Sequence, residues 1–337
     1  MKHSHATATV TAALAAAALA LTGCGTTHPA KDTAPGKDTA SASATASTGP
    51  VTLTDATGTK VTLDHPATSV VATEWNAVED LVALGVAPVG VADVKGYRAW
   101  DTAAPLTGTP KDIGMRGEPS TDTIAALAPD LIVATTDLTS SAVAQLRKLA
   151  PVLVVRSADA SDQIGLMTRD LDLIAQATGR TQQAAAAESA FDAKLAAGAA
   201  ALKAAGKSGA SYAFADGYVV SNQVSVRAYT SGSLVGAVNE RLGLKSPWKL
   251  KGDKDYGLAT TDVEGVTGLG DTQFAYIAND VDGDDPFADS LAKNAVWTSQ
   301  PFVKAGHVHR LPDGIWMFGG PLSMGAYVDA VVAALTK

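Results

Sequence analysis

Residues 161–179 read SDQIGLMTRDLDLIAQATG, and the fold turns on this stretch. Ile164, Met167, Leu171 and Ile174 recur at three and four residues, with Asp162, Arg169, Asp170 and Asp172 between them. That spacing gathers the apolar side chains on one face of a helix. No Gly or Pro interrupts residues 166–178, so the pattern predicts one long amphipathic helix that stops at Gly179. A second, Ala-rich helix is predicted over 181–205.

On the N-terminal side of this helix, short apolar runs alternate with helical patterns. Val51-Thr52-Leu53 and Lys60-Val61-Thr62-Leu63 flank Asp55-Ala56-Thr57-Gly58 and read as a β-hairpin. Ser69-Val70-Val71-Ala72-Thr73 reads as a buried strand, followed by a helix through Val78, Leu81, Val82 and Leu84 that ends at Gly85. Residues 86–91 supply another strand. A helix over 122–127, a strand over 131–134, a helix over 142–149 and a strand over 152–155 repeat the alternation. On the C-terminal side the same grammar returns: strands at 212–215 and 219–220, a helix over 233–242 stopped by Gly243, then 263–269 and 274–277 echoing 122–134. Short apolar strands alternating with helices indicate a mainly parallel sheet covered on both faces. The expected fold is α/β: two Rossmann-like lobes, 51–160 and 180–337, bridged by the helix at 161–179.

Length and ends agree with that division. The chain has 337 residues, and the part beyond residue 50, about 285 residues, suits two lobes better than one. Its formal charge is −8, and loss of Lys2 with a leader would lower it by one to −9. Such a balance argues against nucleic acid as a partner. The start carries Lys2, an apolar run over 12–21 too short to span a bilayer, and then Leu21-Thr22-Gly23-Cys24. Residues 1–23 therefore read as a secretory signal. The small residues before Cys24 resemble the lipobox of bacterial lipoproteins, whose cysteine receives a diacylglycerol and becomes the new N-terminus. The alternative is cleavage elsewhere, with Cys24 an incidental small residue. Lipidation implies a chain held at the extracytoplasmic face of the cell membrane. Residues 24–50 form the expected flexible tether, since 25–50 hold no large apolar side chain. Cys24 is the only cysteine, so the folded part can form no disulfide within the chain.

Three segments carry a family likeness. Glu74-Trp75 to Asp93 with Tyr97-Arg98-Ala99-Trp100, then Asp112-Ile113-Gly114-Met115-Arg116-Gly117-Glu118-Pro119, and finally Ile315-Trp316-Met317-Phe318-Gly319-Gly320-Pro321-Leu322-Ser323 resemble the periplasmic binding proteins for ferric hydroxamate siderophores. With the order of lobes and helix, the likeness covers nearly all of residues 51–335. It implies a shallow ligand cleft between two lobes, small hinge motion, a monomer, and delivery of a ferric siderophore to an ABC permease and its ATPase. Iron would enter only as the siderophore complex, with no intrinsic cofactor. The wider class also includes haem and cobalamin receptors.

A ferric hydroxamate presents a ring of anionic oxygens wrapped in an aliphatic backbone, so it calls for a fixed cationic donor and flat apolar surfaces. Arg116 supplies a donor fork charged at any physiological pH, and its motif places it on the family's ligand-contacting arginine; the alternative is a solvated loop arginine. Trp100, Trp248 and Trp316 offer large rigid rings, each open to a core role instead. Arg227 and Tyr229 precede the helix at 233, where a loop would face the cleft. The family likeness also implies permease docking through a carboxylate on each lobe, here Asp122 and Glu264. Asp122 is one methylene shorter than the family's usual Glu, and it could equally serve its own helix's first turn.

Other motifs fail on spacing. His307-Val308-His309 has no adjacent Glu or Cys to complete a metal set. The stretch 280–285 starts like a calcium loop but places Gly283 fourth instead of sixth and Leu291 where a Glu belongs. Ala205-Gly206-Lys207-Ser208 ends like a phosphate loop, yet Ala201 stands where its first glycine would be. No Gly-x-Ser-x-Gly elbow appears. A binding protein and not an enzyme is therefore expected; an extracellular enzyme acting on ferric chelates is the competing class, and turnover would reveal it.

Overall fold

The computed structural model describes residues 49–337 apart from Asn222. The expected signal, Cys24 and the tether up to residue 48 lie outside the described residues. The first lobe opens with an antiparallel hairpin, β1 (Val51–Thr54) and β2 (Lys60–Leu63), which turns Leu53, Val61 and Leu63 inward. Asp55 fixes its turn: Oδ1 accepts the Thr57 and Thr59 N–H groups at 2.9 Å each, and Oδ2 meets Arg147 Nη2 at 3.0 Å. There follow β3 (Val70–Ala72), helix α1 (Trp75–Ala83), β4 (Gly90–Val91), α2 (Val94–Trp100) and β5 (Lys111–Asp112). A small hairpin of β6 (Gly114–Met115) and β7 (Glu118–Pro119) leads to α3 (Thr121–Leu127), β8 (Leu131–Thr135), α4 (Ser140–Leu146) and β9 (Val152–Val155). All pairings in the β5-β4-β3-β8-β9 sheet are parallel. Strands β3, β8 and β9 are buried along their whole length, as expected of apolar runs with both faces covered.

The amphipathic stretch after β9 forms helix α5 (Gln163–Thr178), capped by Asp162 at its start and ended by Gly179 at φ 68°. A left-handed residue closes a helix at no steric cost only when it is Gly. Next come α6 (Thr181–Ala204), β10 (Tyr212–Val220), β11 (Gln223–Tyr229), α7 (Leu234–Arg241), β12 (Leu258–Thr261) and β13 (Gln273–Tyr276). The chain closes with α8 (Ala295–Ser299), α9 (Pro301–Lys304), β14 (Val308–Arg310) and α10 (Pro321–Leu335).

The second sheet, β12-β11-β10-β13-β14, differs from the expected copy of the first. Only β10–β13 and β13–β14 pair in parallel, whereas β10–β11 and β11–β12 are antiparallel. Residues 212–220 form one continuous strand instead of two, and 263–269 end as a 3₁₀ turn over Gly265–Leu269. Arg227 and Tyr229 lie on β11 and not on a loop.

A single apolar cluster joins the lobes. It runs from Leu53 and Val70 through Trp75, Leu171 and Ile174 to Phe214, Tyr229 and Tyr327 of α10. Separate clusters cover the far face of each sheet, around Ile124 and Ile132 in the first and Phe274 and Phe302 in the second. Helices α5 and α10 each contact elements of both lobes: α5 touches α1 and α7, and so does α10.

Candidate functional site

A cleft of about 530 Å³ opens at the carboxyl ends of the first sheet's strands, where ligands of open parallel sheets are received. β3 leads to Glu74, Trp75 and Asn76, β8 to Asp137, and β9 to Ser157. Trp100 ends α2, and Arg116 with Gly117 forms the tight link between β6 and β7. The opposite side comes from Arg227 of β11, Tyr256, Leu258 of β12 and the segment Trp316, Met317 and Phe318.

Arg116 is gripped on two sides. Its Nη1 donates to Glu74 Oε1 at 2.7 Å, and its guanidinium carbon lies 4.0 Å from the Trp75 ring centre and 5.3 Å from that of Trp316. Glu74 also accepts from Trp75 N at the start of α1, so the helix cap and the ion pair share one carboxylate. With one of five N–H groups given to Glu74, the rest of the fork stays free for a guest. Each cation–ring contact is worth about 0.5–1 kcal/mol at a partly exposed site.

Arg227 has a comparable backing on the other wall. Its Nε donates to both Asp216 oxygens at 2.9 and 3.1 Å, and Nη2 to Asp216 Oδ2. Asp216 and Arg227 are register partners across β10 and β11. Tyr229 Oη donates to the same Asp216 Oδ2 at 3.0 Å, and burial beside that carboxylate keeps the phenol protonated, its pKa well above the ordinary range. The guanidinium carbon stands 5.5 Å from the Phe318 ring.

An aromatic floor links the two cations. Trp316 lies 4.7 Å from Trp75, 6.2 Å from Trp100 and 5.1 Å from Phe318, which in turn meets Tyr256 at 5.5 Å and Tyr229 at 5.8 Å. Trp75 anchors this floor by donating its indole N–H to the Ala92 carbonyl at 3.1 Å. Tyr256 Oη donates to Asp137 Oδ2 at 2.5 Å, a direct bond between the lobes across one end of the cleft. A larger groove of about 1250 Å³ adjoins it, sharing Trp100 and Arg227 as walls and lined further by Asp262, Glu264, Asp282 and Asp284. The arrangement offers two fixed cations with spare donors beside the half-buried rings of Trp100 and Phe318, with Trp75 and Trp316 buried beneath them, suited to an anionic guest with an apolar body.

The model of the periplasmic binding protein family matches residues 70–256. The chain belongs to that family. This periplasmic binding protein is 25% identical over 267 residues to the iron(3+)-hydroxamate-binding protein FhuD of Escherichia coli, spanning 79% of this chain and 86% of FhuD. To the probable siderophore-binding lipoprotein YfiY of Bacillus subtilis it is 26% identical over 286 residues, 82% of this chain and 85% of YfiY. Among solved structures, FhuD of Vibrio cholerae with Fe3+-Desferal bound superposes with a TM-score of 0.71 at 25% identity, covering 80% of this chain and 98% of that one.

The periplasmic binding protein's sequence-predicted residues divide into three groups. Arg116, Trp100, Trp316 and Arg227 come together in the cleft, with Tyr229 one layer behind, hydrogen-bonded to the carboxylate that holds Arg227. Trp248 goes elsewhere: its indole N–H donates to the Phe214 carbonyl at 3.1 Å, and its ring packs on the far face of the second sheet. It does not line the cleft that Trp100 and Trp316 share. Asp122, in the first turn of α3, and Glu264, just before the 3₁₀ turn, are both exposed. Of the histidines in β14 and beside it, His307 Nδ1 lies 3.1 Å from Asp271 and His309 Nε2 2.7 Å from Gln273.

Among the residues that escaped the sequence reading as site residues are Glu74, Trp75, Tyr256 and Phe318 of the cleft and Asp216 behind Arg227. Glu74, Trp75 and Phe318 stood inside the family-like segments and were findable there. Asp216 becomes visible only once 223–229 is read as the strand that pairs with 212–220.

Proposed function

We propose that this chain captures a ferric siderophore of the hydroxamate type outside the cytoplasmic membrane and delivers it to an ABC permease and its ATPase. The observation that carries this reading is the pair of carboxylate-backed arginines facing each other over an aromatic floor. A ferric hydroxamate's oxygens meet the free donors of Arg116 and Arg227, and its aliphatic chain lies on Trp100 and Phe318, which Trp75 and Trp316 support from beneath. Charge-assisted hydrogen bonds supply direction, and ring burial supplies area. The ligands of two relatives, a ferric hydroxamate for FhuD of Escherichia coli and Fe3+-Desferal for FhuD of Vibrio cholerae, support the same class.

Cys24 is the proposed lipid anchor, which would hold the receptor near its permease through residues 24–50. Asp122 and Glu264, exposed on separate lobes, are the proposed docking carboxylates. Neither lines the aromatic cleft, although Glu264 lines the groove adjoining it, so replacing both is expected to lower cellular uptake far more than affinity in solution.

Titrating tryptophan emission with ferrioxamine B, ferrichrome, ferric citrate, haem and cobalamin tests the proposal. Saturable sub-micromolar quenching by at least one ferric hydroxamate is expected. A response confined to haem, with a shifted Soret band, or to cobalamin would overturn it.

A further inference from the structure

Behind the aromatic floor lie two carboxyl groups that ligand capture does not use. Glu79 sits one helical turn past Trp75 on α1, and Asp101 follows Trp100; they are 0% and 1% exposed. Both reach the first turn of α10. Ser323 N donates to Glu79 Oε1 at 2.8 Å, and Ser323 Oγ donates to Asp101 Oδ1 at 3.1 Å. The remaining oxygens, Glu79 Oε2 and Asp101 Oδ2, are buried without a donor among the described residues, and the two carboxyl groups converge on the one residue Ser323. Two ionised carboxylates cannot share so dry a space, whereas one proton makes either group a donor to the other.

The lid over this pair is the segment that builds the cleft. A Cβ on Gly319 would stand 2.1 Å from Glu79 Oε2, and one on Gly320 would stand 2.8 Å from Asp80 Oδ1. Only glycine lets the backbone lie so close, and Trp316, Met317 and Phe318 immediately precede it. The same turn of α1 thus carries Trp75 into the cleft and secures the strand of chain that brings Trp316 against it.

We propose that Glu79 and Asp101 hold one proton between them, and that this bridge is the positioning element that fixes the Trp316–Phe318 wall against Trp75 and Arg116. Burial raises the pKa of both groups, that of Asp101 to about 9. The surrounding ionisable groups oppose a second negative charge. Asp80 on α1 is itself pushed up by burial, with Asp170 and Glu79 beside it, and Tyr97 of α2 keeps its hydroxyl on the Ala104 carbonyl at 2.7 Å. Asp170 of α5 is raised by burial to about 7, with Arg156 and Arg169 pulling the other way. Because Asp101 holds its proton to about pH 9 when folded and loses it near the ordinary 3.8 when unfolded, its contribution to stability falls as pH rises across that window and is level above it.

Three ligand-free measurements test the bridge: tryptophan emission, the urea midpoint, and the dependence of that midpoint on pH between about 7.5 and 9, above the titration of Asp170. The wild-type midpoint is expected to drop across this range. Asp101→Asn, whose amide is a permanent donor to Glu79, is expected to keep wild-type emission and show a smaller drop, the remainder belonging to Asp80. Glu79→Ala is expected to shift emission to the red, as Trp316 gains water, and to weaken ferrioxamine B binding by about tenfold. A flat wild-type profile would overturn the proposal even if Asp101→Asn failed to fold, and so would an undiminished drop in that variant or unchanged emission in Glu79→Ala. Only the affinity measurement rests on the ligand reading: absence of ferrioxamine B binding to wild type would count against that reading, leaving emission and midpoint to judge the bridge.

Discussion

Arg116 and Arg227 both face the cleft with a carboxylate behind them, yet Glu74 caps a helix with its side chain 18% exposed, whereas Asp216 lies in a strand at 8%. Arg116 leans on indole faces and a partly hydrated partner, so its removal mainly withdraws a donor from the guest. Arg227 is a cross-strand partner whose removal strands a buried charge that also holds the Tyr229 hydroxyl. The same residue type on two walls thus serves the ligand alone in one case and ligand plus fold in the other. Proteins place functional charge more safely where water can share the load, because a buried carboxylate without its cation must find a proton or unfold.

Four substitutions would break or sharpen this contrast. Arg227→Ala carries the largest expected effect: about 3 kcal/mol of folding stability, the low end for breaking a buried pair since Arg227 itself is about one-third exposed, together with loss of affinity. Urea denaturation checks it, and adding Asp216→Asn should recover part of the stability. Arg116→Ala should weaken ferric hydroxamate binding by about 1.5–3 kcal/mol while moving unfolding by less than about 1 kcal/mol. Equal stability losses in the two variants would erase the distinction. Tyr256→Phe, which removes the bond to Asp137 between the lobes, should cost about 0.5–1.5 kcal/mol in affinity, read by the same quenching titration. Trp248→Phe should leave affinity within about 0.5 kcal/mol of wild type and preserve the amplitude of ligand-induced quenching.

The parts legible in the sequence were those whose apolar spacing repeats. Ile164, Met167, Leu171 and Ile174 announced α5, and Gly179 marked its end within a residue. In the first lobe β3, α1, β4, α3, β8, α4 and β9 followed from βα alternation, whereas α2, β5 and the β6–β7 hairpin, too short for a periodic signal, did not. The β10–β11 hairpin was missed because its outer half, Tyr218, Val219 and Val220, is exposed on consecutive residues, so the inside–outside alternation of a half-buried strand is lost there. With it went the Asp216–Arg227 pair. Glu79 and Asp80 were illegible for another reason: polar residues on an amphipathic helix are read as facing water, and nothing local to α1 reveals that Gly319 and Gly320, some 240 residues on, seal them from solvent. Trp248 shows the reverse, a rare aromatic residue whose ring packs on the second sheet away from the cleft.

The apolar cluster that threads both sheets makes the two halves inseparable as folding units. A chain cut between α5 and α6 would leave each piece with a raw greasy surface formerly covered by the other, so neither fragment should survive alone, though the two together would be expected to reassemble. A split version of this receptor, its pieces fused to separate reporters, would therefore signal meeting in place of capture.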